Sequence, residues 1–130
     1  MTLQDLKRLN PIWRKRLWLG HFAINQSIGR VEDETSLAEP YALPEYQEAK
    51  VVWAEGRLQD ASEAHFIHEM LHIVVAPLQQ TAKELAKTDF ERSMIAQRTE
   101  AVVTHLTNIL RTAYNVPFRD EPKPKKKRRK

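Results

Sequence analysis

A chain of 130 residues without a cysteine holds one domain, and it can form neither a disulfide nor a thiolate metal site. Any metal must therefore be held by histidine and carboxylate. Its net charge of +4 is misleading: Lys123 and residues 125–130 supply seven positive charges, leaving 14 Lys and Arg against 17 Asp and Glu, about −3. No apolar run nears the roughly 20 residues that cross a bilayer, and Met1–Asp5 lacks a signal-peptide pattern, so a cytoplasmic protein without membrane contact is expected.

Thr2 to about Leu9 reads as a short helix, with Leu3, Leu6 and Leu9 at helical spacing and Pro11 ending it. Arg16–Asn25, rich in aromatic and aliphatic residues, reads as a strand. Gly29–Tyr46 is polar, with Pro40, Pro44 and the acidic cluster Glu32, Asp33 and Glu34. It suits a loop or weak hairpin holding a short strand near Leu37–Leu43. Glu48–Ala54, centred on Val51-Val52-Trp53, is a second strand closed by Gly56.

Asp60 followed by Glu63 has the spacing of a capping box and opens the next helix, which Pro77 ends or kinks. Leu78–Ala86 continues as a further helical stretch. Thr88-Asp89-Phe90-Glu91 repeats the capping signature and starts a long helix to about Tyr114, with Ile95, Val102, Leu106, Ile109, Leu110 and Ala113 as its apolar stripe. The order implies an α+β domain over residues 1–117: a two- to four-stranded sheet packed on a central helix, with a long C-terminal helix beside them. Residues 118–130 form a disordered basic tail in this reading, since charge and proline alone build no core.

The central helix carries His68-Glu69-Met70-Leu71-His72, which spells H-E-x-x-H. Residues four apart lie above one another on a helix, so both imidazoles can reach one ion, while Glu69 points aside and can take a proton from a metal-bound water. Two solvated histidines on a surface helix would have polar flanks. Here the flanks are Phe66, Ile67, Leu71, Ile73, Val74 and Val75, and polar groups in such surroundings need partners. The expected cofactor is Zn²⁺ on His68 and His72, with Glu69 as general base.

A catalytic zinc has three protein ligands and a water. The extended three-histidine pattern is absent, because position 75 is Val and position 78 is Leu. Glu100, on the shoulder of the last helix's apolar stripe, is the candidate third ligand; Glu91 and His105 compete with it, and His65 is a flank residue one turn before His68.

The string from His68 to Leu78, with a Glu-x-Val-x-x-Leu run from Glu100 (Glu-Ala-Val-Val-Thr-His-Leu, one residue longer), resembles the small metallopeptidases of phage and bacterial genomes. These are minimal zincins, similar in outline to SprT-like and ImmA/IrrE-type proteins. The resemblance spans roughly residues 13–114. It implies a zincin-like domain, a protein or peptide substrate, and a third metal ligand on the helix after the motif, the place Glu100 occupies. It also implies that the strand before the motif helix, Val51–Ala54, lines the cleft and receives an extended substrate at its edge.

The run Lys123–Lys130 is a non-specific contact for DNA or RNA, lacking side chains that read bases, or a solubilising terminus; a nuclear address would matter only in a eukaryotic cell. Two other classes compete with a peptidase: a non-catalytic zincin-fold binding module with a closed metal site, and a nucleic-acid-binding protein whose motif is incidental.

Overall fold

The computed structural model describes residues 1–117, so the expectations for Lys123–Lys130 lie outside the described residues. The fold is α+β: α1 (Leu3–Arg16), β1 (Ala23–Gly29), β2 (Ala38–Leu43), β3 (Glu48–Ala54), α2 (Glu63–Leu85) and α3 (Asp89–Ala113). The strands form one mixed sheet in the order β1-β3-β2, with β1 parallel and β2 antiparallel to β3. Val51–Ala54 is thus central and paired on both sides, which overturns its expected role as an edge open to substrate.

Strand alternation makes the sheet one-sided. Val51 and Trp53 on β3, with Ile24 and Ala38 beside them, are buried in a core shared with Leu6, Leu9 and Trp13 of α1 and Phe66, Ile67, Met70 and Ile73 of α2. The Trp53 and Phe66 rings stack at 6.1 Å and 7°. Polar groups inside this layer are paired: Trp53 Nε1 donates to Gln26 Oε1 at 2.8 Å, and Gln26 Nε2 donates to Asn10 Oδ1 at 3.1 Å. Asn10 Nδ2 in turn donates to the Ile24 carbonyl at 3.1 Å.

Pro11, expected to end its helix, and Pro77, expected to end or kink the motif helix, both lie inside helices. Pro11 sits on the exposed face, and so does Lys7, whose carbonyl loses its partner to the ring, while Leu6, Leu9 and Trp13 on the other face hold α1 to the core. Pro77 is likewise exposed, and Gln80 beyond it donates to the Ala42 carbonyl at 3.1 Å, which ties the later turns of α2 to β2.

The strand expected over Arg16–Asn25 starts only at Ala23. Its apolar residues belong to the end of α1, where the Trp18 amide donates to Lys15 O and the Leu19 amide to Arg14 O, burying Leu19 and Phe22. The motif helix is capped by Ser62, not Asp60, which lies in the short turn Leu58–Asp60. On α3 the expected stripe is rotated: Val103 and Thr107 are buried, whereas Val102 and Ile109 are half exposed.

Candidate metal centre

The chain from β1 to β2 has to cross the C-terminal end of β3, and this crossing builds one wall of the site. It is pinned there by Leu37, whose carbonyl accepts from the Ala54 amide at 2.8 Å, and by Arg57, which donates to the Glu34 carbonyl at 3.0 Å. Asp33 steadies the acidic turn by accepting from the Thr35 amide and hydroxyl at 2.9 and 2.7 Å. The motif helix α2 follows β3 after the short turn Leu58–Asp60, and α3 returns along it. A cleft of about 370 Å³ opens between these elements, lined by residues that include Leu37, Ala38, His65, His68, Glu69 and Thr104.

Three side chains converge beside this cleft. His68 Nε2 lies 2.7 Å from Glu100 Oε1, and His72 Nε2 lies 3.0 Å from Glu100 Oε2. The two imidazole nitrogens are 3.3 Å apart. Ligands about 2.0–2.1 Å from a tetrahedral zinc stand roughly 3.3 Å from one another, so the donor set is close to the size the ion requires. His68, His72 and Glu100 are the one group of ligand-type side chains among the described residues with all donor atoms within 4.8 Å.

The rotation of α3 explains why Glu100 arrives here. Residues 100, 103 and 107 share a helix face, and burying Val103 and Thr107 turns Glu100 towards α2. Of the competitors, Glu91 is spent at the N-terminus of α3, where its Oε1 accepts from Thr88 Oγ1 at 3.0 Å. It is nine residues from Glu100, about 13 Å along the helix. His105 is exposed and shares a shallow surface with Glu100, Thr104 and Asn108, outside the converging group.

Burial first, then the carboxylates of Glu100 and Glu39, push Glu69 up to about 8. The contribution of Glu39 brings the β2 side of the cleft into the electrostatics of the motif, a link the sequence gives no means of finding. His72 is held below its ordinary value chiefly by burial, with Glu100 opposing. Its neutral form, the one that binds metal, is thereby favoured.

His65 has a separate fixture. Its Nδ1 lies 3.0 Å from the Ser62 amide and 3.0 Å from Ser62 Oγ. Ser62 and His65 have the spacing of a capping box with histidine in the place of Glu or Gln, a signal present in the sequence but obscured by the better-formed Asp60–Glu63 pair. Glu63 instead accepts from Trp13 Nε1 at 2.8 Å, joining α2 to α1.

No known family, curated protein or solved structure matches the chain. Among the described residues no helix is long and apolar enough to cross a membrane.

Proposed function

We propose that the protein is a zinc-dependent metallopeptidase of minimal zincin type. The observation that carries this reading is the convergence of His68, His72 and Glu100 with Glu69 held at the adjoining cleft. Two neutral imidazoles and one carboxylate suit zinc, and three protein ligands leave a position for water. The bound ion would supply an acidified water and polarise a scissile carbonyl. Glu69 accepts the water proton and returns it to the leaving amine. A dication beside Glu69 also counters the burial and carboxylate repulsion that hold its proton on.

An extended peptide fits β2 better than β3. Because Leu37 pairs with Ala54, ladder alternation turns the backbone groups of Ala38, Pro40 and Ala42 away from β3. Gln80 takes the Ala42 carbonyl, while Ala38 lines the cleft with His68 and Glu69. The open part of this edge is the place for a substrate strand.

The test is hydrolysis of labelled casein by zinc-loaded protein. The parent cleaves and Glu69→Gln retains zinc but falls at least about a hundredfold, the scale of a lost general base. Equal cleavage by both proteins would sink the assignment.

A further inference from the structure

Trp18 follows the last turn of α1 at φ 59°, a left-handed position where the Cβ of any residue but glycine is crowded. Its side chain is 87% exposed, so packing does not offset the strain. The turn is held without the indole. The Trp18 amide donates to Lys15 O and the Leu19 amide to Arg14 O, while the Arg14 guanidinium donates to the Gly20 and Phe22 carbonyls. Trp13 and Trp53, by contrast, are fully buried. Backbone strain that folding does not need gathers where a molecule binds, at some cost to stability.

The surroundings of the ring define the chemistry of a ligand. A shallow hollow of about 670 Å³ is lined by Pro11, Arg14, Lys15, Trp18, Gly20 and His21. The Lys15 ammonium has no partner among the described residues. Residues 6–21 carry five Lys and Arg and no acid, whereas residues 22–117 carry eight against fourteen Asp and Glu. Cations gathered on one element of an acidic body mark a contact for a polyanion. Arg16 lies 4.1 Å from the Tyr114 ring, so the end of α3 closes beside the same patch, and Lys123 follows Pro117 by six residues. A membrane anchor needs a broader apolar face than one indole, but one indole is enough to stack one base. We propose that the hollow at Trp18 binds single-stranded nucleic acid, an unpaired base stacking on the indole while Lys15 meets a neighbouring phosphate. A duplex keeps its bases stacked on one another and offers the ring no such face. This binding needs neither zinc nor peptidase activity.

Tryptophan fluorescence of the full chain, titrated with oligothymidylate, reads the stack, because Trp18 is the exposed indole of the three. Oligothymidylate should quench the parent, and an abasic strand of the same length, which keeps the phosphates, should not. Oligouridylate in a parallel titration tells RNA from DNA by the tighter of the two. In Trp18→Gly the quench should vanish and anisotropy of the labelled strand should show binding about 5–100-fold weaker, the scale of one lost stack. Its urea midpoint should not fall, which separates lost binding from lost folding. Trp18→Phe should keep most of the affinity, and Lys15→Gln should reduce the salt slope of binding by about 1. A parent that binds the abasic strand as tightly as oligothymidylate overturns the proposal and leaves only a charge contact. Parental affinity in Trp18→Gly, or binding to phosphatidylserine vesicles without binding to either oligonucleotide, also overturns it.

Discussion

Burial keeps His72 towards the neutral imidazole, and Glu100 brings the single negative charge that a His, His, carboxylate set requires. Replacing Glu100 by Ala leaves two imidazoles without that charge, and zinc affinity should fall more than the 10–100-fold typical of an outer-shell partner. Isothermal titration with zinc reads this directly, and an unchanged affinity would remove Glu100 from the site. His68, Glu69 and His72 were legible in the sequence because their relation is local, fixed by 3.6 residues per turn. Glu100 was not fixed in that way. Which face of α3 meets α2 depends on tertiary packing, and the apolar count favoured a stripe through Val102 and Ile109 that the fold leaves half exposed.

At the scale of elements, local chemistry sets most boundaries. Thr2 caps α1 by accepting from the Asp5 amide at 3.2 Å, and Asp5 Oδ2 accepts from the Thr2 amide at 2.8 Å. That amide holds the Asp5 carboxyl below its ordinary value, so its contribution is present at neutral pH and lost as pH falls through the depressed folded value. Asp5→Asn should cost roughly 0.3–1 kcal/mol at pH 7, with the gap from the parent closing below about pH 4. Urea melts across pH measure it, and a gap that persists at pH 2 contradicts the capping role. The end of α1 carries the opposite lesson. Trp18 sits at φ 59°, a left-handed position where glycine is the usual residue, and its side chain is 87% exposed. Trp18→Gly should raise stability by about 1 kcal/mol, since it relieves the Cβ crowding and gives up little packing. A lower urea midpoint would contradict that. No glycine stands at the left-handed position itself, so the apolar run around it read as a strand, and Pro11 misled because the exposed face of a helix tolerates it.

For the molecule as a whole, the core is one layer between a three-stranded sheet and its helices, and the Trp53–Phe66 stack lies within it. Phe66→Ala should cost about 3–5 kcal/mol, enough to unfold a marginal domain at moderate temperature. The α+β class and the strand Glu48–Ala54 were legible, because hydrophobic patterning reports burial. Strand order was not, since the crossing from β1 to β2 over the end of β3 leaves no mark in the composition. The central claim is that His68, His72 and Glu100 hold one zinc ion. Zinc content after dialysis of the purified protein tests it most directly. The account predicts one zinc per chain in the parent and almost none in the His72→Ala and Glu100→Ala variants. A parent without zinc, or variants that keep it, would contradict the account.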